Sequence, residues 1–391
     1  MPKRIAIPYK DLRLKVVGPS ADFFAYRVQR LDIPANIPST VINELGNPGH
    51  AGIVTDTPEV SATFQAFDVS HVIYSILTGT DAAAYPAAGV DVSELDSCDL
   101  IAYVADKSRV EHIKCIHAKK MRITDFTYTY SVDGESTEEY SCAGSEKRYF
   151  AYDVVVDTGT LSAGANAGWL TYEPNQLKNG DYLLSLIVDG EWLEEGTEYS
   201  VSTLDITLSG TGGAALAVYH TQSGVLAWSD ISSPAGVPAA IRGKNIPVTI
   251  GVEHQYRVQS VTIRGTFPNT KITEMGNTSL VGYIVDPPEI SGDITVLDVD
   301  NELVALLTTG TKEDADGYGE YGVSEYSERT LQLDVVLKLP SDNTTVVKTV
   351  RVPAMRITSD GTTGNVGSQL SKTFSWMSDL GTCLIFSGAA P

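Results

Sequence analysis

An ungapped internal repeat constrains this 391-residue chain more than any other feature. Tyr26–Thr78 and Tyr256–Thr308 align at a constant offset of 230, with 20 identities in 53 positions. Tyr26-Arg27-Val28-Gln29 answers Tyr256-Arg257-Val258-Gln259, and Pro58-Glu59 answers Pro288-Glu289. The match resumes at offset 234, where Lys114 answers Lys348 and Met121-Arg122-Ile123-Thr124 answers Met355-Arg356-Ile357-Thr358. Two copies of one unit are expected, roughly 1–150 and 236–391. Whatever shape is assigned must be one the chain builds twice.

Each copy reads as β-structure. Leu331, Leu333, Val335, Leu337 and Leu339 alternate with Gln332, Asp334, Val336 and Lys338, the period-2 signal of a half-buried strand. Pro340–Asn343 supplies a turn, and a return strand is expected from Val346 to Ile357. Ile101–Ala105, the turn 106–108 and Val110–Tyr130 repeat that hairpin in the first copy. A further strand follows a proline in each copy. Val60, Ala62, Phe64 and Ala66 face one side, against Ser61, Thr63 and Gln65; Ile290, Ile294 and Val296 stand against Ser291, Asp293 and Thr295. One side is core and the other wet. Val72, Ile73, Ile76 and Leu77, and again Leu303, Leu306 and Leu307, have helical spacing. Ser70 and Asp300 are expected N-caps, with Gly79 and Gly310 at the C-caps. The fold class is therefore mainly β: two tandem β-sandwich or barrel domains, each with one short helix. Between them, 151–235 holds eleven acids and one base, 1 − 11 = −10. Its short apolar runs, separated by Asn179-Gly180, Asp189-Gly190 and Glu195-Gly196, read as an inserted small all-β domain with an acidic surface.

Composition excludes several functions. The net charge, 28 − 49 = −21, opposes tight nucleic-acid binding through counterion release. Cys98, Cys115, Cys142 and Cys383 have neither zinc-site nor disulfide-framework spacing, and read as intracellular thiols. No membrane span or signal-peptide core is expected. Ser209–Gly213 is glycine-rich but lacks the lysine of a phosphate loop, and reads as a hairpin loop. Asp298–Asn301 and Asp314–Gly317 match calcium loops poorly. His112 and His117, five apart on a strand, should point to opposite faces at surface or edge positions. No nucleophile elbow is present. The repeated carboxylates, Glu44, Asp56, Glu59 and Asp68 with Glu274, Asp286, Glu289 and Asp298, occur in both copies, whereas one active site needs one set. No catalytic residue, metal site or cofactor is expected, and the chain reads as no enzyme. Arg27, Glu59, Arg122, Arg257, Glu289 and Arg356 are instead candidates for inter-domain contacts, beside a merely local structural role. Lys3, Arg4, Lys10, Arg13 and Lys15 against Asp11 make a basic N-terminal arm, 5 − 1 = +4, which is either a solvated terminus or a dock for an acidic neighbour.

Several repeated segments together resemble the tail tube proteins of long-tailed bacteriophages. They are the Tyr-Arg-Val-Gln strand start, the turns Glu44–Asn47 and Glu274–Asn277, and the strands opening Pro58–Ser61 and Pro288–Ser291. The helices ending Ile76–Thr78 and Leu306–Thr308, each followed by the long hairpin, complete the likeness over about three-quarters of the chain. It implies a structural virion protein whose domains close into rings, six domains and so three chains to a ring. Stacked rings form a tube that conducts viral DNA without tight binding. Partners are other copies of the chain and other tail proteins; the location is the virion tail, after synthesis in the host cytoplasm. The inserted domain looks like small immunoglobulin-like modules appended to phage structural proteins. On this reading Ser61, Thr63, Gln65, Ser291, Asp293 and Thr295 border either the lumen or the outer wall. Loops such as Asp81–Asp96 and Lys312–Ser324 are expected to order on assembly. The competing reading is a sugar-binding tail-tip protein or adhesin, with Trp169, Trp192 and Trp228 as stacking platforms or, alternatively, core residues.

Overall fold

The computed structural model describes residues 9–43, 50–55, 58–67, 72–78, 89–91, 97–106, 108–144, 146–221, 226, 228, 241–251, 253–255, 257–272, 282–297, 302–308, 329–363 and 370–390. The chain is mainly β. Copy one comprises β1 (Leu12–Val17), β2 (Asp22–Ala25), β3 (Val28–Asp32), β4 (Ala35–Asn36), β5 (Ser39–Asn43), β6 (His50–Thr55) and β7 (Glu59–Ala66). Helix α1 (Val72–Leu77), β8 (Val90–Asp91), β9 (Ser97–Ala105), β10 (His112–Ser131), β11 (Thr137–Gly144) and β12 (Glu146–Phe150) follow. The inserted domain holds β13 (Val154–Leu161), β14 (Gly164–Asn166), β15 (Leu183–Val188), β16 (Glu191–Leu193), β17 (Tyr199–Ser202), β18 (Asp205–Leu208) and β19 (Gly213–His220). Copy two runs β20 (Val248–Ile250), β21 (Glu253–Gln255), β22 (Val258–Thr266), β23 (Asn269–Ile272), β24 (Gly282–Val285) and β25 (Glu289–Leu297). It ends with α2 (Glu302–Thr308), β26 (Leu331–Lys338), β27 (Val346–Thr363), β28 (Ser371–Ser378) and β29 (Leu384–Ser387).

The 20-residue β10 belongs to two sheets. Its first half lies between β9 and β12, and its second half pairs with β11. One layer is therefore β2-β1-β9-β10-β12 and the other β3-β7-β11-β10. Leu14, Val16, Leu100 and Ala118 of the first pack on Val60, Phe64, Tyr128 and Tyr140 of the second, and α1 inserts Ile73 and Leu77. Each such large apolar side chain stabilises the sandwich by ~1.5–3 kcal/mol. Copy two repeats this plan as β21-β20-β26-β27-β29 over β22-β25-β28-β27. The irregularities repeat as well. Bulges fall between Ile123 and Asp125 and between Ile357 and Ser359, and again after Val28 and Val258. Arg27 and Arg257 take left-handed backbone at φ 58° and 64°, an uncommon conformation for a side chain of this kind, turning the chain into the same strand in each copy.

The inserted domain is a sandwich of β13-β19-β15-β16 over β14-β18-β17 around Leu186, Ile206, Ala217 and Tyr219. The glycine-rich segment after β18 is the turn into β19, tethered by the Ala214 N–H to Asp189. No helix among the described residues is long and apolar enough to cross a membrane. The expected caps Ser70, Gly79, Asp300 and Gly310, and both calcium-like loops, lie outside the described residues, as do 312–324. Of the loop expected at Asp81–Asp96, Val90 and Asp91 already form β8, which pairs with β29 of copy two.

Candidate assembly interface

The two copies are joined by backbone. The second half of β10 pairs antiparallel with β22, from Asp125↔Thr266 to Ser131↔Ser260. The inner layers thereby fuse into one eight-stranded sheet, β3-β7-β11-β10-β22-β25-β28-β27. Val132 N–H donates to Gln259 C=O at 2.9 Å and Phe267 N–H to Thr124 C=O at 2.8 Å, so even-numbered residues of β10 face the seam. Gly265 lies under Phe126; a Cβ there would stand 2.0 Å from the ring, so only glycine admits this approach. The sheet does not close within the chain. Among the described residues, nothing pairs with the outer side of β3 or of Ser359–Thr363.

Those two borders are the same strands that meet at the internal seam. Thr358–Thr363 are all exposed, whereas their counterparts Thr124–Thr129 are buried or half-buried under copy two. Beside β22 the seam leaves about 30 Å³ between Ile246, Val248, Val258, Gln259, Ser260 and Val261, with Tyr130–Val132 in place. The counterpart residues of copy one, Leu12, Leu14, Val28, Gln29, Arg30 and Leu31, line an open groove of about 840 Å³. One groove is filled, and among the described residues nothing fills its twin. Lys147 reaches the Ile33 carbonyl on that border, a lysine of the kind that protects a free sheet edge.

The seam also carries charge. Lys348 Nζ donates to Glu138 Oε1 at 2.6 Å, with side chains 0% and 1% exposed. At the rim Arg242 approaches Glu135 at 3.7 Å. Of the residues expected to contact across domains, Arg122 lies 6.0 Å from the Tyr283 ring, and the Tyr283 hydroxyl donates to the Ala143 carbonyl. Arg356 pairs instead with Asp379 of its own copy, Nε to Oδ1 at 2.8 Å. That pair holds the Asp379 carboxyl below its ordinary range. Arg27 and Arg257 serve as the left-handed corners, and Glu59 and Glu289 stand exposed at the starts of β7 and β25. Glu138 carries no repeat signal, since its counterpart in copy two is Lys372, and the repeat of Lys114 as Lys348 does not show which acid lies opposite.

Ser61, Thr63 and Gln65 on β7 and Ser291, Asp293 and Thr295 on β25 lie on one face of the fused sheet, away from the core. Asp293 pairs there with Arg264 at 2.8 Å and accepts from Ser375 Oγ at 2.8 Å. The basic arm is corrected in part. Lys3 and Arg4 lie outside the described residues, Lys10 is in a single 3-10 turn, and Arg13 and Lys15 belong to β1. Arg13 is 5% exposed with its guanidinium 3.8 Å from the Trp228 ring, and Lys15 bridges to Asp22. Arg13 and Lys15 are therefore spent within the chain.

The inserted domain covers the other layer. Val17, Ile101, Tyr103 and Cys115 of copy one pack with Leu184, Ile187, Leu216 and Val218. His112 and His117 are both buried here, contrary to the expected edge positions. A bulge between His112 and Lys114 shifts the alternation and turns both rings toward the inserted domain. His112 bonds Asp153 at 2.5 Å and His117 bonds Asp99 at 2.9 Å. Asp99 also accepts from Ser185 Oγ and from the Lys120 N–H. Asp99, rather than the histidine, accepts from the serine, and all three side chains are buried, so the trio fastens two domains and activates no nucleophile. Trp192 packs into the same interface, and Trp169 donates to the Thr160 carbonyl.

Burial raises the Asp99 carboxyl, but the His117 charge and the hydrogen bonds outweigh it and leave it below its ordinary 3.8. A depressed folded value means the stabilisation is present above 3.8 and lost as pH falls through the lower folded value. Asp99→Asn is expected to cost ~1–3 kcal/mol at neutral pH. Its stability should then fall less steeply than wild type below 3.8. Urea unfolding across pH, followed by tryptophan emission, checks this; parallel pH curves would refute it.

Among the described residues no group of three or more His, Cys, Asp or Glu gathers as a metal site. No protein-family model matches the chain, and no curated protein does. Among solved structures, a chain from the virion of a native gene transfer agent particle aligns with 38% of this chain and 98% of its own, at 14% identity and a TM-score of 0.25.

Proposed function

We propose that this chain is a non-enzymatic structural subunit of a virion tail tube, joining other copies edge to edge into rings that stack around a DNA-conducting channel. The single observation that carries the reading is the internal seam. The chain already joins two like sandwiches through β10 and β22, and offers the same two strand types, β27 and β3, at its borders. A border of unpaired backbone donors and acceptors is a template for another strand, and closure into a ring removes it. With eight strands from each of three chains, the ring sheet holds 8 × 3 = 24 strands. The inserted domain covers the opposite layer, which supports placing it outside and the Ser61–Thr63–Gln65 face inside. A lumen of hydroxyls and acids repels DNA weakly and lets it slide.

Electron microscopy of the purified chain should show rings or striated tubes with threefold or pseudo-sixfold end views; monomers at every concentration would end the reading. In virions carrying Thr63→Lys and Thr295→Lys, DNA ejection should slow several-fold and recover with salt, as phosphate contacts do. Unchanged ejection kinetics would return that face to the outer wall.

A further inference from the structure

Among the differences between the seam inside the chain and the joint offered to another chain, one falls on a buried ion pair. Inside, Glu138 on β11 meets Lys348 on β27, whose ammonium also stands 4.8 Å from the Tyr128 ring centre. The duplication says what stands at both places where a second chain joins. Lys348 answers Lys114 in the ladder as in the sequence: Lys348 pairs with Leu337 on β26, and Lys114 with Val104 on β9. Glu138 pairs with Tyr128 on β10, while Lys372 pairs with Thr362, the counterpart of Tyr128 at offset 234. Glu138 and Lys372 both lie in the inward-facing register of their strands. The acid of the internal pair is thus replaced by a lysine.

We propose that the groove of copy one receives the β27 border of a second copy of this chain, and that the joint sets Lys372 of one chain against Lys114 of the next. This rests on the tube reading above and adds to it a charge gate that the internal seam lacks. Two ammonium groups brought together as the joint forms repel, and at half-buried positions mobile ions screen that repulsion. The chain therefore stays unjoined at low ionic strength and closes as salt rises, while its own halves are held by an acid–base pair. The occupant is a second copy because, among the described residues, nothing fills this twin of the groove closed by the end of β10, and because the part of β10 that pairs with β22, Asp125–Thr129, has its own twin exposed at Ser359–Thr363.

Charge exchange tests the gate. Lys372→Glu and Lys114→Glu each set an acid against a lysine, as inside the chain, and each should lower the concentration for half-assembly at low salt by roughly tenfold or more. The double variant sets acid against acid and should lose the gain of both singles. Both positions are half-buried in the single chain, so the variants should fold, which thermal melts check. Sedimentation at low and high salt reads assembly. Wild-type rings with no shift in either single variant, or singles whose gains add in the double, would overturn the lysine pair and leave the tube reading standing. If wild type and every variant stay monomeric at all salt concentrations, the tube reading fails and the gate with it.

Discussion

Lys348→Met is expected to destabilise the folded chain by about 3–5 kcal/mol, most of it restored when Glu138→Leu is added. The argument is one of desolvation. Glu138 is 1% exposed in the single chain and bonds the lysine at 2.6 Å, with the Tyr140 hydroxyl donating to its other oxygen at 3.4 Å. Without the lysine, the carboxylate loses the ammonium it bonds at 2.6 Å, in a place that is 1% exposed. It must then stay charged at a cost or take up a proton. Removing both charges replaces the pair with apolar volume among Tyr128, Tyr130 and Tyr140, which is often neutral or stabilising. Urea unfolding of the two singles and the double yields the coupling directly. A double variant as unstable as the sum of the singles would show that the two side chains do not act as a pair. The seam's backbone ladder is unaffected, so loss of the pair should loosen the two copies without unfolding either sandwich first.

The repeat carried most of the fold. Even the irregularities recur at its offsets: the left-handed Arg27 and Arg257, and the paired bulges at Ile123 and Ile357, sit at corresponding positions. Alternation along β7 and β25 identified the wet face, because a strand with one buried side leaves no other pattern. What the sequence hid was non-local. The return strand read as ending at Tyr130 crosses from one layer to the other and then leaves its own domain to pair with β22. Alternation says which way a side chain points but not which strand lies alongside. His112 and His117 were misplaced by one extra residue, which reverses the facing of everything before it. Arg13 and Lys15 looked like a free arm because Trp228, the ring beneath Arg13, lies far along the chain. Glu138 is invisible to any search for repeated charges, since Lys372 stands at its counterpart, and the repeat of Lys348 as Lys114 does not name the partner across the seam.

Thr362→Pro is expected to abolish ring formation while leaving the single chain folded. Even-numbered residues of β10 turn their N–H and C=O toward β22, as Thr124 and Val132 show, and Thr362 is the counterpart of Tyr128 in that series. Its N–H therefore points outward from the border, away from β28, and the residue is exposed. Proline is tolerated on an edge strand where the missing donor faces solvent, so the monomer keeps its ladder. In the joint the same N–H is needed. Carrying the register Tyr128↔Ile263 over to the border sets Thr362 against Ile33 of the next chain and Asp360 against Ala35. The latter pair stands where Phe126 meets Gly265, and a smaller residue opposite the strand lets alanine replace glycine. Thr363→Pro is the control, since alternation turns its N–H inward to Ser371 and should cost the monomer stability instead. Sedimentation and electron microscopy of the two variants separate the outcomes. Rings from Thr362→Pro, under conditions where wild type forms them, would mean that chains meet through some other surface.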